Sequence, residues 1–220
     1  MKEIVVSLKD VSKTISGISI LKGINLELER GNIYGFVGRN GSGKSMLFKT
    51  ICGLVNPSEG EVMVLQEPIK NGNFSKKTGI IIENPGFLPQ YSAFKNLKIL
   101  ANIQNKISDQ KIKDTLALVG LDPKDKKPVK KYSLGMKQRL GIAQAIMEDP
   151  EILILDEPMN GLDNEGVKLV RNILLNLKSK SVTILLASHN HEDITSLCDC
   201  VFHLENGGLT NSSYSITNSI

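Results

Sequence analysis

A short glycine-rich segment limits the folds open to this chain more than any other feature. Residues 38–45 read Gly-Arg-Asn-Gly-Ser-Gly-Lys-Ser and match the pattern G-x-x-x-x-G-K-[ST] at every fixed position. The apolar run Ile33–Val37 before it predicts a strand, and the residues from Gly43 onward predict a helix. In that setting, glycines let backbone N–H groups turn inward around phosphate oxygens, and the helix N-terminus adds its positive dipole end. The alternative is a glycine-rich turn that binds no phosphate, which would not require the flanking strand and helix.

Each residue of this segment is a candidate phosphate contact. Lys44 supplies a full positive charge, and the hydroxyl of Ser45 is a hard oxygen ligand for Mg²⁺. The candidate nucleotide contacts are Gly38, Arg39, Asn40, Gly41, Ser42, Gly43, Lys44 and Ser45. Taken alone, the segment predicts a P-loop nucleoside triphosphatase and nothing narrower.

A second chemical signal lies at the end of another apolar run. Ile152–Leu155 is followed by Asp156 and Glu157, and a buried strand in a parallel sheet presents such residues at its C-terminal edge, where ligands bind. Asp156 is expected to hold Mg²⁺ through a water, and Glu157 to polarise the water that attacks the γ-phosphate. The alternative is a strand that ends in a solvated turn.

The order of elements predicts an α/β fold in which antiparallel strands precede an α/β core with a helical insert. Predicted strands are Ile4–Leu8, Ile24–Leu28, Ile33–Val37, Val62–Leu65, Ile80–Ile82, Ile152–Leu155, Val182–Ala187 and Val201–Leu204. Predicted helices are Gly43–Cys52, Asp109–Val119, Gly135–Met147 and Glu165–Leu177. We expect a single domain over residues 1–210, with the helical insert over roughly 86–148, and a polar tail over 211–220.

Composition excludes several classes of function. The formal net charge of +4 is too small to indicate nucleic-acid binding, and three cysteines without C-x-x-C spacing indicate neither a disulfide framework nor a zinc site. No run approaches the roughly 20 apolar residues of a membrane-spanning helix, and the start MKEIVVSLKD lacks the apolar core of a signal peptide. Five lysines within Lys124–Lys131 form either a solvated loop or a contact for acidic lipid or a partner.

Three further segments carry a resemblance to a known family. Tyr132–Arg139, with the sequence YSLGMKQR, resembles the signature LSGGQxQR, and it lies just before the strand that ends in Asp156. Asn160–Asp163 resembles the family's D-loop, and His189 resembles its switch histidine. With the two segments above, these motifs resemble ABC (ATP-binding-cassette) ATPase subunits over essentially the whole chain.

The resemblance implies a P-loop NTPase fold with a RecA-like core, an antiparallel β-subdomain and a helical subdomain that carries the signature. It implies ATP and Mg²⁺ as ligands, a γ-phosphate contact for His189, and nucleotide contacts for Ser133, Gly135 and Asp163. It also implies a separate membrane permease as partner, a second copy of the chain in an ATP-sandwich dimer, and a peripheral place on the cytoplasmic face of the membrane. No nucleic-acid partner is expected.

The sequence departs from the family pattern at three places. Glu83 stands where a glutamine is usual; it still offers Mg²⁺ an oxygen, but it adds a negative charge near the γ-phosphate. Leu134 replaces the first glycine of the signature, and Met136 replaces its first glutamine. Ile15 stands where an adenine-stacking aromatic is usual, so the base would meet apolar packing without ring stacking.

A glutamate at position 83 followed by NPGF, together with YSLGMKQRLGIA, resembles ATPase subunits of bacitracin- and lantibiotic-type exporters. The implied function is ATP hydrolysis that drives a permease to export or expel antimicrobial peptides. One alternative is a soluble ABC ATPase with a regulatory or remodelling role, which the single cassette and the lack of sustained heptads disfavour. Another is a nucleotide-binding module without turnover, which Glu157 and His189 disfavour.

Overall fold

The chain folds around two β-sheets, described by a computed structural model for residues 3–70, 73–75, 77–83 and 85–212. Its strands are β1 (Ile4–Ile15), β2 (Ile18–Glu29), β3 (Ile33–Val37), β4 (Glu59–Val64), β5 (Glu67–Pro68), β6 (Thr78–Ile81), β7 (Ile152–Asp156), β8 (Thr183–Ala187), β9 (Cys200–Glu205) and β10 (Gly208–Ser212). Its α-helices are α1 (Lys44–Ile51), α2 (Ala93–Gln104), α3 (Asp109–Leu118), α4 (Leu134–Ile146), α5 (Asn164–Ser179) and α6 (His191–Leu197), and a 3₁₀ turn covers Val129–Lys131.

The first sheet is antiparallel, with the strand order β2-β1-β4-β5. Strands β1 and β2 form a long hairpin whose turn residues, Ser16 and Gly17, have φ values of 48° and 79°, as a two-residue hairpin turn with right-handed twist requires. The sequence predicted only the part of this hairpin that lies away from the turn, as the strands Ile4–Leu8 and Ile24–Leu28. Register shifts between Leu8 and Val11 interrupt the pairing with β2, and a bulge hides the apolar–polar alternation on which the prediction depended.

The second sheet has the strand order β10-β9-β3-β8-β7-β6, in which only β10 is antiparallel to its neighbour. Every side chain of β8 and the first four of β7 are buried, as expected of strands covered on both faces. Because β3, β8 and β7 are adjacent and parallel, their carboxyl ends meet at one edge of the sheet. This edge receives the two segments for which the sequence predicted phosphate chemistry.

Helices α2, α3 and α4 lie between β6 and β7, within the range predicted for the helical insert. The sequence did not predict α2 or α6 as separate helices. Strand β10 runs to Ser212, two residues into the predicted tail, and residues 213–220 lie outside the described part of the chain. The division into one domain with a helical subdomain stays a prediction.

Two apolar layers hold the sheets and helices together. Between the sheets, Phe36 of β3 meets Phe48 of α1 edge to face, with ring centroids 5.2 Å apart. On the other face, buried residues of α4 and α5, including Leu140 and Leu174, cover the parallel sheet. Burying such a side chain stabilises the fold by about 1.5–3 kcal/mol. Across the described residues, no helix has both the length and the apolar character needed to cross a membrane.

Candidate functional site

The loop between β3 and α1 has a backbone that only glycine permits at several points. Gly41 and Gly43 have φ values of 80° and 110°, in the region that side chains disfavour. A Cβ atom on Gly38 would lie 2.4 Å from the carbonyl oxygen of Leu204 and 2.6 Å from Oγ of Ser42. The loop therefore curls back on itself, and its inner side is lined by backbone atoms.

Polar groups at the start of α1 have few protein partners. Gly43 is the N-cap, no side chain in the described ranges caps the helix there, and its first turn contains no acidic residue. The hydroxyl of Ser42 is buried and forms no hydrogen bond to the described residues. Helix N-terminal N–H groups with no side-chain acceptor, facing an open loop, suit a phosphate ester.

The ammonium of Lys44 is folded onto this loop. Its Nζ donates to the carbonyl oxygens of Gly38 at 2.7 Å and Arg39 at 3.3 Å. The described residues provide Lys44 with no carboxylate partner within salt-bridge distance. A cation that is satisfied only by neutral carbonyls is available to an anion that enters the loop.

Ser45 and Asp156 come together although they lie 111 positions apart in the sequence. The Ser45 hydroxyl, on the first turn of α1, donates to Oδ2 of Asp156 at the end of β7, over 2.5 Å. A hydroxyl and a carboxylate are hard oxygen donors that fit Mg²⁺. No group of three or more His, Cys, Asp or Glu among the described residues is placed to hold a metal ion. A hydroxyl and a carboxylate would leave the other positions of an octahedral Mg²⁺ to phosphate and water oxygens.

Glu157 and His189 form a pair beside Asp156. Nδ1 of His189 and Oε2 of Glu157 lie 2.8 Å apart, at hydrogen-bond distance. Glu157 has a φ of 51°, a left-handed conformation that costs of order 1 kcal/mol or more in a residue other than glycine. Its N–H donates to the carbonyl oxygen of Ala187 at 2.9 Å. The turn thus directs the Glu157 carboxylate toward the residue that follows β8.

A buried ion pair positions the segment that carries His189. Asp193, which is 1% exposed, accepts from Nη2 of Arg171 at 2.6 Å and from the Ser188 hydroxyl at 3.2 Å. Glu192 also binds Arg171, and that hydrogen bond lowers the pKa of the Glu192 carboxyl. These contacts connect α5 to the start of α6 and to Ser188, the residue directly before His189.

The residues of the signature and D-loop segments make local contacts. Ser133 is the N-cap of α4 and accepts from the N–H of Met136 at 3.2 Å. Asp163 is the N-cap of α5 and accepts from the N–H of Gly166 at 2.9 Å. A Cβ on Gly135 would lie 3.0 Å from the carbonyl oxygen of Gly161, so the signature turn packs closely on the turn after Glu157.

Of two residues at which the sequence departs from the family, Glu83 lines the cavity and Ile15 does not. Glu83, 65% exposed, pairs with Nζ of Lys49 on α1 at 2.5 Å and has a φ of 64°. Asn84, the next residue of the predicted Q-loop, lies outside the described residues. Ile15 is 44% exposed and sits at the turn of the β1–β2 hairpin, whereas Ile20 of the same hairpin lines the site.

One cavity of about 660 Å³ connects these groups, and its volume suits a nucleotide-sized ligand. It is lined by Ile20, Asn40, Gly41, Ser42, Gly43, Lys44, Ser45, Met46, Glu83, Gln138, Asp156, Glu157 and Asn160. Arg39 lines a neighbouring cavity of about 380 Å³ instead. Gly38 contacts the site through its carbonyl oxygen, and His189 through Glu157. Ser133, Gly135, Asp163 and Ile15 do not line the cavity.

Sequence reasoning assigned no role to several lining residues. Gln138 donates to the carbonyl oxygen of Pro158 at 2.9 Å and so links α4 to the turn that carries Glu157. Gln138 lies within the segment that resembles the signature, and that resemblance could have identified it as a site residue. Asn160 lies within the segment that resembles the D-loop, which was the signal for it, whereas no motif contains Ile20 or Met46. The contact between Lys49 and Glu83 joins residues 34 positions apart, and no local pattern indicates it.

Comparison with known proteins gives consistent matches. A family model described as ABC transporter matches residues 21–160. The uncharacterized ABC transporter ATP-binding protein YybJ of Bacillus subtilis is 47% identical over 204 residues, which cover 92% of this chain and 94% of YybJ. The bacitracin transport ATP-binding protein BcrA of Enterococcus faecalis is 38% identical over 210 residues, which cover 94% of this chain and 68% of BcrA. These matches confirm the resemblance that the motifs carried, including the bacitracin-type subgroup.

Solved structures confirm the predicted fold class. The dimeric cassette MJ0796, in a post-hydrolysis state bound to ADP and Pi, superposes with a TM-score of 0.86 at 22% identity. The superposition covers 94% of this chain and 97% of MJ0796. The P-loop NTPase architecture with an additional antiparallel sheet is therefore shared over nearly the whole length of both chains.

Proposed function

The chain belongs to the ABC transporter family as an ATP-binding subunit that hydrolyses ATP, and from this premise we propose that it drives a separate membrane permease. The single observation that supports the site assignment is the meeting of three strand ends. The loop after β3 supplies Lys44, the end of β7 supplies Asp156 and Glu157, and the segment after β8 supplies His189. Residues from these distant segments converge on the 660 Å³ cavity.

The phosphate chain of ATP lies along residues 38–45 in this proposal. Backbone N–H groups of Gly41, Gly43 and the first turn of α1 donate to its oxygens. Lys44 exchanges the carbonyls of Gly38 and Arg39 for the β- and γ-phosphates. Asn40 and Ser42 complete the polar wall, with Arg39 at its outer side.

Ser45 and Asp156 are the residues that would hold Mg²⁺. When bound, the ion neutralises charge on the phosphates. Glu83 is a further candidate ligand, because its carboxylate lies at the rim of the cavity and can exchange Lys49 for the metal. The adenine base packs on apolar side chains of the β1–β2 hairpin, Ile20 beside the cavity and Ile15 at the turn.

Glu157 acts on the attacking water. Its carboxylate accepts a hydrogen bond from the water and withdraws the proton as the oxygen approaches the γ-phosphorus. His189 fixes the orientation of that carboxylate through the 2.8 Å contact and presents its other ring nitrogen toward the γ-phosphate. The hydrogen bond from the Glu157 N–H to the carbonyl oxygen of Ala187 holds this turn in its left-handed conformation and so positions the carboxylate.

Ser133, Gly135 and Asp163 are proposed to contact nucleotide bound to a second copy of the chain. Ser133 and Gly135 lie at the start of α4, and Asp163 lies directly before α5. None of the three lines the cavity of its own chain. A head-to-tail pair of copies would place each signature over the partner's P-loop. The helical subdomain over roughly 86–148 would carry that signature, and the pair would work peripherally on the cytoplasmic face of the membrane, against the permease.

The cargo proposal rests on the bacitracin transport protein BcrA at 38% identity. We propose that the permease exports or expels antimicrobial peptides. A strain that lacks this chain, complemented with either wild type or Glu157→Gln, tests both parts. Growth inhibition by bacitracin and by a lantibiotic is measured beside phosphate release from the purified chain. Wild type should restore resistance and Glu157→Gln should not; full resistance of the uncomplemented strain to both peptides would remove the cargo proposal but not the ATPase.

A further inference from the structure

The segment at the end of β8 contacts Glu157 at two points. The carbonyl oxygen of Ala187 accepts from the Glu157 N–H at 2.9 Å, and Nδ1 of His189 lies 2.8 Å from Oε2 of Glu157. Ser188 lies between these two residues and is 3% exposed. Its hydroxyl donates to Asp193, at 3.2 Å. Ser188 therefore connects the backbone beside His189 to another part of the chain.

Asp193 is a buried carboxylate with partners on two elements. It is 1% exposed, and a carboxylate at that depth requires a cation and hydrogen bonds. Its Oδ1 accepts from Nε of Arg171 at 2.9 Å and from Nη2 of Arg171 at 2.6 Å. Its Oδ2 accepts from the Ser188 hydroxyl. One oxygen of Asp193 is thus bound to helix α5, and the other to the residue that precedes His189.

Arg171 holds the start of α6 by two neighbouring carboxylates. Besides Asp193, it binds Oε1 of Glu192 through Nη1, at 2.7 Å. A guanidinium is a planar fork of five donors, so it fixes the direction of both partners. The Glu192 side chain is 72% exposed and that of Asp193 is 1% exposed. The contact with Asp193 leads on to Ser188, whereas the Glu192 carboxylate lies largely in solvent.

The imidazole of His189 has little packing around it, since its side chain is 72% exposed. The residues on both sides of it are hydrogen-bonded. The Ser188 hydroxyl accepts from the N–H of Asn190 at 3.1 Å, and Asn190 caps α6 by accepting from the N–H of Glu192 at 2.9 Å. The ring is therefore held by its contact with Glu157 and by the backbone on either side.

We propose that Arg171 is a positioning residue for ATP hydrolysis. Through Asp193 and Ser188 it holds the backbone next to His189. The imidazole is thereby kept in contact with Glu157. This role rests on the proposed function, in which Glu157 acts on the attacking water. Arg171 acts at a distance, because neither it nor Asp193 lines the nucleotide cavity. A displacement of about 1 Å at a reacting group can slow a reaction roughly a hundredfold.

The alternative is an ion pair that stabilises the packing of α5 against α6 and does nothing else. The two roles predict different results. A structural pair should change the melting temperature and leave the rate of the folded chain unchanged. A positioning residue should lower kcat and leave the KM for ATP unchanged, because the groups that bind nucleotide are not moved.

Two neighbouring carboxylates on the same arginine provide a matched pair of variants. Asp193→Asn preserves the shape of the side chain and removes the charge that binds Arg171, and Glu192→Gln does the same at the exposed contact. Asp193→Asn should lower kcat about tenfold or more and change the KM for ATP less than about twofold. Glu192→Gln should change neither constant by more than about twofold. Phosphate release over a range of ATP concentrations gives both constants, and circular dichroism on heating checks the fold.

Nuclear magnetic resonance of the histidine rings tests the position of His189 without hydrolysis. The chain has three histidines, and the signals of His189 are those that disappear in His189→Ala. In the nucleotide-free chain, Glu157→Ala shows where these signals lie once the carboxylate partner is lost. Asp193→Asn should move them at least half of the way to that position, and Glu192→Gln should leave them in place.

Double variants test whether Arg171 acts through Asp193 and His189. Arg171→Met alone leaves a buried carboxylate without its cation, which is expected to destabilise the chain. Arg171→Met combined with Asp193→Asn leaves no buried carboxylate charge, so it should fold and lose no more kcat than Asp193→Asn does. Arg171→Lys keeps a cation beside Asp193 and should retain more kcat than Asp193→Asn. In a His189→Ala chain, Asp193→Asn should lower kcat less than about twofold, because the ring that it positions is absent.

Three results would overturn the proposal. The first is a wild-type kcat in Asp193→Asn, the second is ring signals of His189 that do not move in that variant, and the third is a loss of kcat that persists in full in the His189→Ala chain. Each would leave the contact between Arg171 and Asp193 as a structural ion pair. Failure of the proposed function looks different: Glu157→Gln and His189→Ala would themselves release phosphate at the wild-type rate.

Discussion

The cavity half-site, made of Lys44, Ser45, Asp156 and Glu157, differs from the signature half-site, made of Ser133, Gly135 and Asp163, in how its side chains are held. In the cavity half-site, Ser45 and Asp156 bond across 111 positions of sequence. In the signature half-site, Ser133 and Asp163 each bond to an N–H three residues ahead. The first is assembled by the sheet, and the second contains two helix caps whose residues do not line the cavity.

This difference agrees with the proposal that one chain holds two halves of a site and that a second copy is needed to join them. The cavity half-site can bind nucleotide alone, because its donors already converge. The signature half-site contains the caps of two helices, and its three residues do not line the nucleotide cavity of their own chain. Substitutions in the first should therefore change nucleotide binding and chemistry within a single chain, whereas substitutions in the second should act only through a second copy.

The largest expected effect is that of Glu157→Gln on hydrolysis. Removing the base that activates water should slow phosphate release by on the order of 10²–10⁴-fold, while ATP affinity stays near that of wild type. Phosphate release and calorimetry measure the two properties. Glu165→Gln is the control, because Glu165 is exposed and pairs with the exposed Lys168. Equal slowing in both variants would mean that Glu157 is not the base.

Lys44→Ala should abolish nucleotide binding that calorimetry can detect. Loss of a charged partner of the phosphates costs about 2–5 kcal/mol, which corresponds to at least thirtyfold in affinity. Lys22→Ala, at an exposed position outside the cavity, should bind as wild type does. Unchanged affinity in Lys44→Ala would contradict the assignment of residues 38–45 to phosphate.

Substitutions at Glu83 should affect ATP affinity least. Glu83→Gln should change ATP affinity only a few-fold, because one partly screened charge is worth about 1 kcal/mol. Glu83→Ala should retain hydrolysis in the isolated subunit but lose peptide resistance in cells that contain the permease. Glu67→Ala, also at an exposed carboxylate, is the control. If Glu83→Ala stops hydrolysis as fully as Glu157→Gln, then Glu83 is catalytic and the coupling role is wrong.

Much of the fold and of the cavity half-site could be predicted from sequence because the relevant signals are local. Apolar runs gave β3, β7 and β8, and short motifs at their ends gave the residues that converge. The sequence patterns failed to predict helices that are very short or that depend on tertiary contacts. Helix α6 has only seven residues, too few for a helical period to show. Helix α2 begins directly after Ser92, which caps it by accepting from the N–H of Lys95. The segment before the helix is held by hydrogen bonds between the Asn96 side chain and the backbone of Leu88, which no local pattern indicates.

The cavity itself depends on distances that no spacing rule supplies. The family resemblance gave Ile15, shortly after Lys13, as the residue that meets the base. In the structure Ile15 ends β1, and Ile20 on the second strand of the same hairpin lines the cavity. Glu83 was predicted beside Mg²⁺, and its pairing with Lys49 depends on how α1 packs on the sheet. The base contact of Ile15 and the Mg²⁺ contact of Glu83 both stay predictions. The structure adds Ile20 as a second candidate for the base, and it shows that Lys49 would have to release Glu83 before Glu83 could bind the metal.

The dimer mass of Glu157→Gln in saturating ATP and Mg²⁺ tests the central claim most directly. Light scattering should give twice the monomer mass of 24.1 kDa, because hydrolysis no longer separates the copies. Adding Ser133→Arg should return the mass to that of the monomer. Ser108→Arg, which removes the equivalent cap of α3, should leave the dimer intact and so controls for the loss of a cap. A Glu157→Gln chain that stays monomeric, or one that dimerises equally well with Ser133→Arg, would contradict the joining of two half-sites from two copies.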